Sequence, residues 1–291
     1  SSGTLSATAG TIMDASGAKL TTTGADTADV AALTLKTTSG DMTLTNATVK
    51  AENTGTLSMD AGNDLLAGSS TLTGAKLAAV AARDMKATEA TLTSTATTLG
   101  LESRQGDLTI TAQTAGTITG QSDVDVSGST ITAGELSATA TQNLSATGST
   151  IKSTGTTLGL TATNGDLTLT NAILNAQTAG TLKAKSDVDI SGSKITAGSL
   201  SVKATEATLN AQDAVTTVTN AATLTSGTTM TLSSTQTGKG TLTAGSLVAN
   251  AGSDLTATNA QLTAGELSAT ATQNLSATGA TIKSTGTTLG L

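Results

Sequence analysis

Apolar residues recur at every second position over short stretches of this chain, as in Leu108-Thr109-Ile110-Thr111, Leu167-Thr168-Leu169-Thr170 and Val124-Asp125-Val126-Ser127. A period of two puts Leu, Ile and Val on one face of an extended strand and Thr, Ser or Asp on the other. Threonine suits such strands because its β-branch restricts χ1 in a way the extended backbone tolerates. Between the stretches lie Ser39-Gly40-Asp41, Gln105-Gly106-Asp107, Asn164-Gly165-Asp166 and Ser127-Gly128-Ser129. These residue types turn a chain at little conformational cost. The pattern predicts many short strands joined by tight corners and is a poor match to helix.

The strands belong to repeats. Thr132 to Leu160 recurs as Thr263 to Leu291 with one change, Ser149 against Ala280, at an offset of 131. Gln113 to Ala138 recurs, less closely, as Gln177 to Val202 at an offset of 64, keeping QTAGT, SDV and ITAG, and TTLGL starts at Thr97, Thr156 and Thr287. Marking the apolar residue that opens each step (Leu77, Leu99, Ile118, Leu136, Leu158, Leu182, Leu200) gives spacings of 18 to 24, so that 64 is three units and 131 is six. Units of this length mark a solenoid. One rung buries too little apolar surface to offset the entropy of ordering it, so rungs must stack, each pairing its backbone with the next. The expected fold is all-β, a right-handed parallel β-helix of roughly 13 or 14 rungs, running as one continuous repeat domain over residues 1–291. At about 4.8 Å per rung it extends about 60–70 Å, with like side chains stacked on like. In the rung Glu135 to Thr154, Leu136, Leu144 and Ile151 turn inward and Thr147 sits on a turn.

Composition sharpens this. The chain has 291 residues and no Phe, Tyr, Trp, His, Cys or Pro. Aromatics fill irregular space in round cores, so a core made of Ala, Leu, Val, Ile and a few Met is narrow and uniform. Low charge (12%) and 31 glycines alone would also suit a disordered linker, but the regular return of Leu, Ile and Val and the absence of Pro argue against one. Net charge is −7 and the only arginines are Arg83 and Arg104, which leaves no basic face for nucleic acid. The longest apolar run, Leu77 to Ala82, is far short of the roughly 20 residues of a membrane-spanning helix. Ser1 begins inside the repeat with no secretion signal, and both termini interrupt the pattern, so the chain reads as a fragment of something longer.

Gly3 to Ala9 (GTLSATA), Gly134 to Ser153 (GELSATATQNLSATGSTIKS) and Ser246 to Gly265 (SLVANAGSDLTATNAQLTAG) resemble the degenerate GxLxAxAxxxLxAxGAxIxA repeats of filamentous haemagglutinins. They are similar too to the rods of contact-dependent growth inhibition exoproteins. The resemblance covers nearly the whole chain. It implies two-partner secretion through an outer-membrane β-barrel transporter, an extended fibre on the bacterial surface, and adhesion to a host or neighbouring-cell receptor or glycan, or delivery of a distal toxin. The motifs of the secretion domain and of a terminal toxin are not in this sequence. Lateral or end-to-end association of such fibres is a further expectation. Absence of Cys and Pro fits folding after export, because neither a premature disulfide nor a slow isomerisation intervenes.

Candidate chemistry is sparse. Asp123 with Asp125, and Asp187 with Asp189, place two carboxylates on one outer face because Val124 and Val188 face inward. Calcium wants six to eight oxygens, and the two pairs stand three rungs apart, so solvated surface carboxylates are the expectation and no metal site is assigned. Arg104-Gln105-Gly106-Asp107 differs from an Arg-Gly-Asp recognition tripeptide by the intervening Gln105 and reads as a turn before Leu108. Without His or Cys, proton transfer near neutral pH falls to perturbed carboxylates or lysines, so no catalytic residue, cofactor or enzyme activity is assigned. Two alternatives stay open. A β-helix polysaccharide-degrading enzyme would use Asp123 and Asp125. A Thr-rich ice-binding solenoid would use pairs such as Thr91/Thr93, Thr117/Thr119 and Thr168/Thr170, whose different phases in rungs of varying length argue against a registered face.

Overall fold

The computed structural model describes residues 3–23, 32–52, 54–88, 90–94, 99–103, 108–120, 124–128 and 130–291. Every regular element among them is a β-strand, and every strand pairing is parallel, as the solenoid reading requires. The chain divides into two compact units, residues 1–142 and 143–291.

In the unit 143–291, seven two-residue strands form one column. Leu144–Ser145, Leu167–Thr168, Val188–Asp189, Leu209–Asn210, Met230–Thr231, Leu255–Thr256 and Leu275–Ser276 each pair in register with the next. Six steps therefore separate Leu144 from Leu275, which is its counterpart in the long internal copy. A second ladder joins Thr150–Ser153, Ile173–Ala184, Lys194–Ala204, Val215–Ser226, Thr241–Ala251, Gln261–Ala271 and Thr281–Ser284. Its long members carry a register shift near the middle, between Ala176/Ala179, Ala197/Leu200 and Val218/Ala221, where the sheet turns a corner without losing its pairing.

The interior obeys the period of two. Leu136, Leu144 and Ile151 are 1%, 0% and 0% exposed, and Thr147 is an exposed turn residue, as the sequence predicts. Columns are not uniformly like on like, however. Leu158, Gly180, Leu200, Ala222, Leu247 and Leu267 mix large and small, while the next inward column reads Leu160, Leu182, Val202, Leu224, Ala249 and Ala269. Glycine or alanine in the first column is matched by leucine in the second, and in the last two rungs the order is reversed. Two rungs, Leu158/Leu160 and Leu200/Val202, are large in both columns, so residues of unlike size stack within a column of this core.

In the unit 1–142, Thr4–Ala9, Ala32–Thr37, Thr56–Ala61, Lys76–Ala81 and Leu99–Ser103 stack in register. Met13–Asp14, Met42–Thr43, Leu65–Leu66 and Met85–Thr88 form another column, and Lys19–Thr22, Thr48–Ala51, Thr71–Gly74 and Thr91–Ser94 a third. Registered steps run from the interval Leu57 to Leu77 up to the interval Met13 to Met42, which exceeds the expected upper bound of 24, while the sheet that takes one strand from each rung has 13 strands, within the expected 13 or 14. The spacings of 18 and 24 read from the sequence arise because the apolar openers chosen there mix columns. Leu77 and Leu99 are true partners, but Ile118 pairs with Leu92 and Ala138, Leu136 with Gly116, and Leu200 with Gly180.

Leu144→Asp places an unpaired charge in this dry column and is expected to cost about 4 kcal/mol or more, whereas Thr147→Asp on the exposed turn stays within about 0.5 kcal/mol of the parent. Denaturant midpoints of the two variants check it, and equal stabilities would contradict the register.

Candidate functional site at the solenoid corners

The carboxylates gather at one corner, just before each short strand, and are already committed to structure. In the first unit the Asp64 N–H donates to Asp41 Oδ1 (3.2 Å) and the Asp84 N–H to Asp64 Oδ1 (3.1 Å). Arg83 forks onto Asp64, Nε to Oδ1 at 2.8 Å and the terminal nitrogen to Oδ2 at 2.5 Å. That guanidinium holds the Asp64 carboxyl below the usual carboxylate range. In the second unit the Asp166 N–H donates to Asn143 Oδ1 (3.0 Å), the Asp187 N–H to Asp166 Oδ1 (3.0 Å) and the Thr208 N–H to Asp187 Oδ1 (2.8 Å). Each side chain thus closes a backbone donor of the following rung, a corner version of a helix N-cap.

This arrangement decides the sequence-predicted acid pairs. Val188 is fully buried, so Asp187 and Asp189 do share the outer face, but they serve Thr208 and the Ser191 N–H (2.9 Å) respectively. Asp125 is exposed and accepts from the Ser127 N–H at 3.0 Å, while Asp123 lies outside the described residues. Arg104, Gln105 and Asp107 also lie outside them. Among the described residues no three acids come together as a metal would need.

A second corner holds residues that the sequence reading missed. Gly148, Asn171, Gly192, Asp213, Asn259 and Gly279 all have φ between +54° and +67°. Asn and Asp tolerate this left-handed conformation better than other residues with a Cβ. Their alternation with glycine has a steric cause. The Asn171 amide lies over Gly192, where a Cβ would meet its Oδ1 at 2.2 Å, and Asn259 lies over Gly279 in the same way at 2.3 Å. A third corner uses glycine for closeness. Gly198, Gly245 and Gly265, each in a Thr-Ala-Gly motif, have the carbonyl of the preceding rung within 2.4–2.6 Å of where a Cβ would stand.

In the unit 143–291 the left-handed corner opens where the step from Met230 to Leu255 lengthens and residues 233–240 form a loop. Asp213 anchors it, accepting from the Thr235 N–H (2.7 Å) and Oγ1 (2.6 Å), bonds that hold its carboxyl below the usual range. Polar grooves flank the loop, one lined by Thr170, Asn171, Gln212, Gln236 and Lys239 among others, the other by Ser234, Gln236, Asn259 and Gln261. Inside the solenoid at this level a cavity of about 10 Å³, lined by Ala211, Thr216, Leu232 and Leu242, has room for one water at most.

No family model, no curated protein and no solved structure matches this chain. Chemistry must therefore be read from the surfaces themselves.

One of them carries a threonine ladder. Thr196, Thr217, Thr243 and Thr263 are register partners on four consecutive rungs, outward on the second ladder. Variable rung length does not break this register, contrary to the sequence-based argument, because the extra residues leave the sheet at the 233–240 loop and at the mid-strand shift. The neighbouring outward column reads Lys194, Val215, Thr241 and Gln261, so the ladder is one threonine wide. Thr168 belongs to the short-strand column and Thr170 to a corner, Thr91 stacks on Thr71, and Thr119 stacks between Thr93 and Thr139.

Gly192→Ala meets both a positive φ, costing about 1–2 kcal/mol, and the Asn171 amide, whereas Gly148→Ala meets only the first. Chemical denaturation is expected to show Gly192→Ala as the more destabilised by about 1 kcal/mol or more, with the excess removed in an Asn171→Ala background. The Asp64 carboxyl titrates lower folded than unfolded. Its contribution is complete above the ordinary value near 3.9 and is lost as pH falls through the depressed one. Arg83→Gln is expected to move the onset of acid unfolding, followed by circular dichroism, to higher pH.

Proposed function

We propose that this chain is a non-enzymatic structural and adhesive segment of a secreted bacterial surface filament, of the kind built by filamentous haemagglutinins and contact-dependent growth inhibition exoproteins. Its work is to project a distal binding or effector module from the cell surface. The observation that carries the reading is the registered repeat, in which Leu144 and its copy Leu275 stand six steps apart in one column and the same kinds of corner recur along the stack. A stack of this kind gains length and stiffness by repetition of one unit. Asp166, Asp187 and Asp213 serve as backbone caps, which supports a mechanical use of polar side chains over catalysis. An outer-membrane two-partner-secretion transporter as export partner follows from the repeat resemblance. Adhesin and toxin-delivery stalk share this architecture.

The four-threonine ladder favours a second reading as an ice-binding solenoid. Lys194 and Gln261 beside it interrupt the flat array that an ice plane needs, which places that reading second. Negative-stain images of the purified chain are expected to show thin needles, and thermal hysteresis is expected to be absent. Compact globules would overturn the filament reading, and a clear hysteresis signal would promote ice binding.

A further inference from the structure

The lysines of this protein stand out in solvent, as charged side chains do, with one exception. Lys239, in the loop of residues 233–240, is half-buried, whereas the other lysines are exposed. Among the described residues it makes no ion pair, unlike Lys36, Lys50 and Lys185, and its ammonium group donates no hydrogen bond. An ammonium drawn partly out of water without a partner costs free energy that a neutral residue at the same place would not. The backbone fixes it there. Gly238 and Gly240 on either side have φ of +75° and +61°, and a Cβ on Gly240 would meet the Ser233 carbonyl oxygen at 2.6 Å.

The acid at this corner does not answer the charge. Both oxygens of Asp213 are taken by Thr235, and the Gln236 N–H and the Gln212 side chain donate to the same carboxylate. Asp213 holds the loop, and Lys239 is left over.

Lys239 and Gln236 line both of the grooves that flank the loop, which measure about 300 and 270 Å³. Small-molecule sites begin near that size, in a range of about 300–1,000 Å³. The walls are primary amides and hydroxyls, with Asn171 and Gln212 in one groove and Asn259 and Gln261 in the other. The side-chain amides of Asn171, Gln236, Asn259 and Gln261 have no hydrogen-bond partner among the described residues. Each amide presents donors and an acceptor, and a hydroxyl group can satisfy either. The chain has no aromatic residue on which a base could stack. These walls fit a ligand rich in hydroxyls, and the unanswered ammonium between them calls for one anionic group on it. Linked sugars with a carboxylate have both properties.

We propose that the 233–240 loop corner binds an acidic oligosaccharide, with the carboxylate of one sugar on the Lys239 ammonium and neighbouring sugars in the two grooves. A carboxylate there turns an unpaired charge into a charge-assisted hydrogen bond. The proposal rests on the adhesive reading above and gives it a place and a ligand class.

Isothermal titration calorimetry of the whole chain tests this. The acidic probes are trigalacturonate and sialyllactose, and their neutral counterparts are the methyl ester of trigalacturonate and lactose. At least one acid is expected to bind about tenfold or more tighter than its counterpart, which lacks the hydrogen bond to a charged group. The acid that binds assigns the carboxylate to a uronate or to a sialate. Lys239→Gln is expected to bind that acid no better than the neutral probe while keeping the parent's thermal stability. Lys183→Gln, which removes an exposed lysine that lines neither groove, is expected to bind as the parent does. Failure of both acids to bind, equal affinity for acid and counterpart, or full affinity in Lys239→Gln would overturn the proposal. Needles in negative stain without binding would remove the site and leave the filament, whereas globules that bind in this pattern would do the reverse.

Discussion

In-register pairing of each rung's backbone with the next is the constraint on which the rest of the structure depends. A parallel ladder satisfies the N–H and C=O groups of both strands only while residue matches residue, and a slip by one would turn every inward leucine to solvent. The internal copy provides a control for how much burial comes from the neighbouring rung. Leu144 and Leu158 are 0% and 1% exposed beneath further rungs, whereas their copies Leu275 and Leu289, in almost the same sequence but with no described rung stacked on them, are 36% and 51% exposed. Sequence alone does not make these residues core; the next rung does.

Polar chemistry is subordinate to that stacking. Carboxylates at one corner close backbone donors of the following rung, asparagines at another lie over glycines, and glycines at the third admit a carbonyl where a methyl would not fit. The same economy shapes the surface. A side chain that leaves the interior at a strand position is repeated at rung spacing if its neighbours share its type, which turns single residues such as Thr217 or Lys183 into ladders. Ladders are the form that recognition can take on the sheets of such a surface, whether of ice or of a receptor.

Much of the fold was legible because period-two alternation and long-range copying are both written in the residues. Leu136, Leu144 and Ile151 were placed inward from alternation alone, and the interval between the long copies gave six rungs. Register was less legible, since alanine, glycine and threonine occupy inward positions as well as leucine. Gly180 and Thr216 fill places where their stacking partners are larger, so counting from one large residue to the next crosses columns. The corners were half visible. Gly128 and Gly192 announce a left-handed turn, but Asn171, Asp213 and Asn259 do the same work, and only their backbone conformation reveals it. The threonine and lysine ladders were hidden for a related reason. A column is defined by pairing at intervals that vary from rung to rung, and the loop at 233–240 masks that pairing in any fixed-period alignment.

The chain has no cysteine, so engineered disulfides can report register against an empty background. Thr217 and Thr243 are partners across the rung that carries the loop, whereas Thr223, nearer to Thr243 in sequence, is paired with Val248. Adjacent strands bring Cα atoms to about 4.8 Å, within the range of about 4.4–6.8 Å that a disulfide accepts. Oxidation of Thr217→Cys/Thr243→Cys is predicted to give an intramolecular disulfide in high yield, and Thr223→Cys/Thr243→Cys little or none. The opposite order of yields would contradict the stacked register and everything argued from it.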